Sequence, residues 1–169
     1  RILVSMGRET LILDGAPLGI EDVVAVARHG RAVQLGDGLV DALAPTRAVV
    51  EQAASGDEAV YGINTGFGAL SRKRIDSESN RHLQLNLIRS HAAGVGDPLP
   101  VETVRAMLLI LAASLSRGVS GVRVELVRQI VSLLNHGITP VVPELGSVGA
   151  SGDLAPLSHA ALVLVGEGE

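Results

Sequence analysis

Apolar residues in the second half of this chain recur at the alternating three- and four-residue spacing of one helical face. This spacing predicts two helices that each bury one face. The first has its apolar positions at Val101, Val104, Leu108, Leu111 and Leu115, and the second at Val124, Val127, Val131 and Leu134. The connection "RGVSGV" supplies two glycines for a turn, so we expect the two helices to form an antiparallel hairpin.

Shorter periodic stretches predict two helices nearer the N-terminus. One begins near Ile20 and is ended by Gly30, since glycine readily adopts the backbone conformation that stops a helix. The other lies within Leu39 to Ala54. Pro45 falls inside that range and lacks a backbone donor, so it must start, end or kink a helix there.

Two more helices are predicted beside the glycine-rich parts of the sequence. Ser77 can cap a helix that runs to Gly94, because its side-chain oxygen can accept a first-turn amide. The residues on one face of that helix are Gln84, Leu87, Ile88 and His91. A last apolar helix begins near Asp153 and is expected to run to the end of the chain, where no cap is evident.

The fold class follows from these elements and from one β-like run. "TLILDG" (Thr10 to Gly15) is apolar and partly β-branched and ends in Asp-Gly, which predicts a short strand and a tight turn. We therefore expect a mainly α fold, a helical domain with a small β element near the N-terminus. The chain has 169 residues, enough for one sizeable core, so a single domain is expected over residues 10–169. Residues 1–9 are interpreted as a leader or tag-like segment.

Composition excludes several classes of function. The net charge is −4, and no basic stretch is interleaved with aromatic residues, so a nucleic-acid partner is not expected. The absence of cysteine excludes disulfides, thiolate metal sites and a cysteine nucleophile. The longest uncharged apolar runs fall short of the roughly 18 residues that suggest a membrane span. A cytoplasmic protein without a membrane partner is expected.

Common short motifs explain little of the sequence. "GINTGFG" lacks the Gly-Lys-Ser/Thr of a phosphate loop, and the histidines lack the spacing of zinc ligands, so no metal site is predicted. "GASGD" followed by His159 has the residue types of a serine hydrolase but lacks the second glycine of G-x-S-x-G in register. Taken singly, Tyr61, His91 and Ser151 are more often structural residues. Residues 72–74, "RKR", are interpreted as a solvated charge run.

Three stretches taken together favour a different interpretation. "YGINTGFG" (Tyr61 to Gly68), "RSHAAGVG" (Arg89 to Gly96) and "GSVGASGDLAPLSH" (Gly146 to His159) occur in the order found in the aromatic amino acid lyases. This family comprises the histidine, phenylalanine and tyrosine ammonia-lyases and related aminomutases. The chain resembles that family over nearly its whole length from "LILDG" onward, so the resemblance implies the N-terminal part of the aromatic amino acid lyase fold.

The resemblance implies a cofactor made from the chain itself, methylidene-imidazolone, with no external cofactor. In the family, the amide nitrogen of the triplet's glycine attacks the carbonyl carbon of its alanine, and two waters are lost. Here these residues would be Gly152 and Ala150, and Ser151 would supply the methylidene carbon. Asp153 would assist the cyclisation. Small residues allow the backbone to close this tightly, which explains why "ASG" has such short side chains.

The resemblance also implies the remaining site residues. Tyr61, the only tyrosine in the chain, matches the catalytic base. His91 matches the residue that contacts the substrate ring, and with Ser90 before it the pattern favours elimination of ammonia from L-histidine to give trans-urocanate. Leu154 and Gly68 match further positions of the substrate pocket. Some bacterial tyrosine aminomutases carry a similar Ser-His pair, so a tyrosine ammonia-lyase or aminomutase is the alternative.

Family members are longer than this chain, and they are homotetramers whose sites combine residues of several subunits. The resemblance therefore implies that these residues form the N-terminal portion of a homotetrameric enzyme and are inactive alone. A helical module without catalytic activity remains the second class of interpretation, and it would be favoured if the triplet stayed uncyclised in the mature protein.

Overall fold

The computed structural model describes residues 9–149 and 152–169, and most of them lie in α-helices. The helices are α1 (Ile20–His29), α2 (Leu39–Ser55), α3 (Ser77–His91), α4 (Val101–Leu115), α5 (Val124–Asn135) and α6 (Leu154–Leu164). The strands are β1 (Leu11–Leu13), β2 (Val33–Leu35), β3 (Val95–Pro98) and β4 (Pro143–Leu145). The prediction of a mainly α fold with a small β element near the N-terminus is confirmed.

The core is centred on α4 and α5, which pack against each other, while α1 packs on α4. Leu108 and Leu109 of α4 and Val127 and Ile130 of α5 are fully inaccessible to solvent. The prediction that these two helices bury one face is therefore confirmed. Val101 is an exception, with 60% of its surface exposed, because it is the first residue of α4 and precedes the turns that reach the core.

Both glycines of the turn after α4 are required by the structure. Gly118 and Gly121 have φ of 73° and 64°, in the left-handed region that side chains disfavour. A Cβ atom on Gly118 would also lie 2.7 Å from the carbonyl oxygen of Ala42 in α2. The turn therefore lies directly against α2, and a larger residue would push the two apart.

Arg105 of α4 is a buried charge that joins three helices. Its guanidinium donates to the carbonyl oxygens of Val26 and Ala27 at 3.0 and 3.3 Å, and to that of Leu134 at 3.0 Å. These carbonyls belong to the last turns of α1 and α5, where backbone acceptors lack intrahelical partners and the helix dipole is negative. Arg105 thus stabilises the ends of both helices and fixes them to α4.

The strands form two separate pairs. β1 and β2 are parallel, with Leu11 opposite Val33, and this pair is the predicted small β element. The side chain of Asn135 accepts from the amide of Val33 at 2.9 Å and donates to its carbonyl at 2.8 Å, so it pairs an otherwise open edge of β2. β3 and β4 are antiparallel, and the sequence analysis did not predict either of them.

Helix α2 runs through Pro45, which neither starts nor ends it. The proline forfeits one backbone hydrogen bond, yet the helix continues for ten more residues. The hydroxyl of Thr46 donates to the carbonyl oxygens of Leu43 and Gly118, at 3.2 and 2.8 Å, and attaches this part of α2 to the turn after α4. Tertiary packing therefore compensates for the local cost of the proline.

Helix α6 ends at Leu164, so the expectation that it runs to the end of the chain is wrong. The amide of Gly166 donates to the carbonyl of Val163, and that of Glu167 to the carbonyl of Leu162. Gly166 has φ of 81°. This paired arrangement around a left-handed glycine is a Schellman motif, a helix cap that the sequence analysis missed in "GEGE".

The ends of α3 also differ from the expectation. The N-cap is Asp76, not Ser77, and its carboxylate accepts from the amides of Glu78 and Ser79 at 3.1 and 2.9 Å. Adjacent Asp and Ser are both competent caps, but only a carboxylate adds the attraction of a negative charge to the helix N-terminus. At the other end the helix stops at His91 rather than Gly94, because the chain turns there into β3.

The cap at Asp76 gives a prediction about stability. The hydrogen bond from the backbone of Ser79 is the main cause that lowers the pKa of the Asp76 carboxyl. Its stabilising effect is therefore present above the ordinary pKa and is lost as the pH falls through the lowered folded-state value. We expect Asp76→Ala to lower the thermal midpoint at pH 7, measured by circular dichroism. Asp76→Asn, which keeps an acceptor, should retain most of the stability at neutral pH; equal losses for both variants would contradict the capping role.

Candidate functional site

The segment that carries Tyr61 is held by the buried side chain of Asn64, which is 2% exposed. The Asn64 side chain accepts from the amide of Val60 at 2.8 Å and donates to the carbonyls of Ala53 and Glu58 at 3.0 and 2.9 Å. One side chain therefore joins the end of α2 to the turn around Tyr61. This role of the Asn in "GINTGFG" is a structural one that the sequence analysis did not assign.

Tyr61 and Gly68 lie in the same part of the structure. The resemblance implied a catalytic role for the first and a pocket position for the second. Tyr61 is 63% exposed, and the edge of its ring packs with Phe67 at 5.9 Å between ring centroids. Gly68 has φ of 57° and begins a short 3₁₀ turn (Gly68–Leu70). Both residues line one open depression, whose other lining residues are Glu58, Ala59, Ser71 and Arg72. Arg72, interpreted from the sequence as part of a solvated run, is exposed and lines the same depression.

His91 is the last residue of α3, and its contacts define which ring nitrogen carries the proton. Its Nδ1 lies 2.8 Å from the carbonyl oxygen of Leu87, which also accepts from the hydroxyl of Ser90 at 2.9 Å. We assign the ring proton to Nδ1, because the carbonyl oxygen beside it can only accept; the hydroxyl oxygen of Ser90 also lies 3.1 Å from Nδ1. In the neutral ring, the half-buried His91 therefore keeps an unprotonated Nε2 that can accept a hydrogen bond from a ligand.

Of the triplet itself, only Gly152 belongs to the described residues; Ala150 and Ser151 lie outside them. Gly149 and Gly152 on either side of these two have φ of 63° and 79°, and a Cβ atom on either would meet no neighbour within 4 Å among the described residues. This left-handed conformation is one that side chains disfavour, which accounts for glycine at both positions.

The two residues just after the triplet, Asp153 and Leu154, neither cap α6 with a side chain nor lie in the core. Asp153 occupies the N-cap position of α6, yet its side chain makes no capping hydrogen bond. Its carboxylate instead accepts from the hydroxyl of Ser147, a contact that closes the loop around the triplet. Leu154, the first residue of α6, is 51% exposed and presents an apolar side chain beside the loop. Asp153 as a simple helix cap is therefore excluded.

Two of the three sequence motifs are joined within this chain. α3 packs on α6, and β3 pairs with β4 with Val95 opposite Leu145. The amide of Gly94 donates to Nε2 of His159 at 3.0 Å. Because this ring nitrogen is already occupied by a backbone amide, and the Asp153 carboxylate by Ser147, the structure gives no support to a serine-hydrolase triad.

The guanidinium of Arg89 forms a two-pronged ion pair with the carboxylate of Glu167 beyond the end of α6. The hydrogen bond from Arg89 is the main cause that lowers the pKa of Glu167, and the same bond raises the pKa of Arg89. The pair therefore stays charged over the neutral range. It adds a second connection between the His91 end of α3 and the helix that follows the triplet.

The first motif lies at the opposite end of α3. The side chain of Asn80, in the first turn of that helix, donates to the carbonyl of Ile63 at 2.7 Å, two residues after Tyr61. His91 lies eleven residues further along α3, or about 17 Å at the rise of an α-helix. Within one chain, therefore, Tyr61 and His91 are attached to opposite ends of the same helix.

Two classes of site find no support in the described part of the chain. Across residues 9–149 and 152–169, no three His, Asp or Glu side chains are grouped so that they could hold a metal ion. In those same residues, no helix has the length and apolar character needed to cross a membrane.

Comparison with known proteins gives a consistent set of relatives. The profile of the family described as aromatic amino acid lyase matches residues 18–169. The histidine ammonia-lyase of Gloeobacter violaceus is 54% identical over 159 residues, which are 94% of this chain and 31% of that protein. This chain therefore spans about a third of the length of the curated relatives it matches.

Solved structures of similar fold include enzymes that act on two different amino acids. The histidine ammonia-lyase of Trypanosoma cruzi superposes with a TM-score of 0.84 and 41% identity, over 94% of this chain and 30% of that one. The tyrosine aminomutase of Streptomyces globisporus superposes with a TM-score of 0.86 and 36% identity, again over 94% of this chain and 30% of that one.

Proposed function

This chain belongs to the aromatic amino acid lyase family, and from that premise we propose that it is the N-terminal portion of a histidine ammonia-lyase. The proposed reaction eliminates ammonia from L-histidine and releases trans-urocanate, a step of histidine breakdown. The proposed domain covers residues 10–169, with further helices supplied by the rest of a longer protein. We further propose that this protein is cytoplasmic and a homotetramer.

The observation that carries the choice of substrate is the hydrogen-bonding state of His91. Its Nδ1 proton points to the Leu87 carbonyl, so its Nε2 is an acceptor suited to a ring N–H of L-histidine. A tyrosine hydroxyl could also donate to this nitrogen, and the similarity to a tyrosine aminomutase makes that enzyme the second candidate. The higher identity to histidine ammonia-lyases, 41% and 54% against 36%, favours L-histidine.

We propose that Ala150, Ser151 and Gly152 form a methylidene-imidazolone, which supplies an electrophile when it is present. Support comes from the described residues on either side of Ala150 and Ser151. Gly149 and Gly152 both have left-handed backbones, and the hydroxyl of Ser147 donates to the carboxylate of Asp153, the residue that follows the triplet. A carboxylate in that place can take up the amide proton of Gly152 as the backbone closes.

The other residues of the chain have roles in binding and proton transfer. Tyr61 is proposed to remove the β-proton of the substrate, and Arg72 lines the same depression. Leu154 and Gly68 are proposed to line the substrate pocket, where an exposed apolar side chain and a residue without a side chain both leave room for a ring.

The position of Tyr61 supports the proposal that the sites are shared between subunits. Tyr61 lies in the loop that bonds to Asn80 in the first turn of α3, and Asn80 and His91 are about 17 Å apart along that helix. This arrangement favours a site to which different chains contribute Tyr61 and His91. Tyr61 is therefore proposed to act in a site whose His91 and triplet belong to another subunit of the tetramer.

The substrate assignment is tested by comparing kcat/KM for L-histidine, L-tyrosine and L-phenylalanine in the longer protein. We expect L-histidine to be preferred, with L-phenylalanine lower by about 10⁴-fold, because a site built to hydrogen-bond a polar ring rejects one without a donor. His91→Leu should lower kcat/KM for L-histidine by about 10- to 100-fold, since an unpaired donor costs about 1–3 kcal/mol. A preference for L-tyrosine with β-tyrosine among the products would establish the aminomutase instead.

A further inference from the structure

His159 joins two segments that are 65 residues apart in the sequence. It lies half-buried on α6, and its Nε2 accepts the amide hydrogen of Gly94 at 3.0 Å. Accepting at Nε2 requires that the ring proton of the neutral histidine be on Nδ1. The Gly94 amide lies three residues after His91, in the turn that leads from α3 into β3. The bond therefore attaches the turn after His91 directly to the helix after the triplet.

The packing around this bond leaves little room for an alternative arrangement. A Cβ atom on Gly94 would lie 3.1 Å from Nε2 of His159 and 3.2 Å from Cβ of Pro143. A Cβ atom on Gly146 would lie 3.2 Å from Cα of Gly94 and 3.2 Å from Cβ of Ala155. Backbone, imidazole and proline ring are thus in close contact, and a shift of the turn would require α6 or β4 to move with it.

The hydrogen bond between His159 and Gly94 lies between the two helices that carry residues of the proposed site. α6 begins two residues after Gly152, and α3 ends at His91, so the two helices carry the residues that must face one substrate. The Arg89–Glu167 ion pair joins the same two helices, but it lies nearer the surface, with side chains 48% and 34% exposed. Exposed ion pairs hold geometry weakly, whereas a half-buried amide left without an acceptor is costly.

We infer that His159 is a positioning residue: through its hydrogen bond to Gly94 it fixes the turn after His91, and hence the substrate-binding imidazole, relative to the helix that follows the triplet. This inference rests on the proposed function for its effect on substrate binding. The hydrogen bond itself does not depend on that function.

The test compares His159→Leu with His159→Gln in the longer protein. Leucine removes the acceptor, whereas the glutamine amide oxygen can reach the place of Nε2 and accept from Gly94. For His159→Leu we expect KM for L-histidine to rise by about tenfold while kcat changes by less than about threefold, since an unpaired buried amide costs about 1–3 kcal/mol. Hydrogen exchange of the segment 92–96, followed by mass spectrometry, should become faster. His159→Gln should restore both values toward those of the unsubstituted protein.

A matched control is His136→Leu, which makes the same change at the end of α5, where the ring contacts Ser132 of its own helix. It should leave KM and the exchange of 92–96 unchanged. Unchanged KM and unchanged exchange in His159→Leu would overturn the inference, as would a His159→Gln variant with the same defect as His159→Leu. If the unsubstituted protein converted no aromatic amino acid, the proposed function would fail, and the exchange comparison would still decide whether His159 fixes the turn.

Discussion

The Ser151→Ala protein should lack the mass deficit of about 36 Da, the mass of two waters, that the unsubstituted protein should show. Without the serine hydroxyl, the second water cannot leave and no methylidene carbon forms. We therefore also expect lyase activity on L-histidine to fall to background. Intact-mass spectrometry and a urocanate assay on the same purified sample measure the two effects.

A suitable control for Ser151→Ala is Ser55→Ala. Ser55 lies at the end of α2, and within the described residues its hydroxyl bonds to carbonyls of its own helix, so its loss should change neither the mass deficit nor the activity. If Ser151→Ala retained activity at the rate of the unsubstituted protein, the assignment of the triplet would be wrong. If the unsubstituted protein itself kept its full mass, the helical module without catalytic activity would become the better interpretation.

Sequence periodicity correctly predicted the helices that are determined by residues close together in the sequence. α4 and α5 each repeat apolar residues over several turns, and their buried residues Leu108 and Val127 are among those the pattern selected. α1 ends at Gly30, which adopts φ of 65°, because only local backbone freedom is needed to stop a helix there. In both cases the residues that determine the element also lie inside it.

The wrong or missing predictions have a different cause. Most depend on contacts between residues that are distant in the sequence, and one depends on two adjacent residues that can both cap a helix. β3 and β4 pair Val95 with Leu145 in strands too short and too rich in Gly and Pro to show alternation. Helix α2 continues through Pro45 because its neighbours bond to the turn after α4. Ser77 was predicted to cap α3, but the cap is the adjacent Asp76, whose carboxylate adds a negative charge at the helix N-terminus.

The site was predictable as a set of residues but not as an arrangement. The motifs selected Tyr61, His91 and the triplet. No spacing indicated that His159 joins the turn after His91 to the helix after the triplet, or that the loop of Tyr61 is attached to the far end of α3. Asn64 and Ser147 were overlooked for a related reason: each acts on a neighbour's backbone or carboxylate, and such supporting roles have no characteristic sequence signal.

Tyr61→Phe should lower kcat for L-histidine by about 10²- to 10⁴-fold, the usual contribution of a positioned general base, while the mass deficit of the triplet is retained. The substitution removes only a hydroxyl; the ring can keep its edge contact with Phe67, and Asn64 continues to hold the loop. Steady-state kinetics and intact mass test this together. Phe67→Leu is the matched control: it removes the ring contact but leaves the Tyr61 hydroxyl, so kcat should fall far less. An unchanged kcat in Tyr61→Phe would show that another group removes the β-proton, whereas loss of the mass deficit would place Tyr61 in the formation of the electrophile instead.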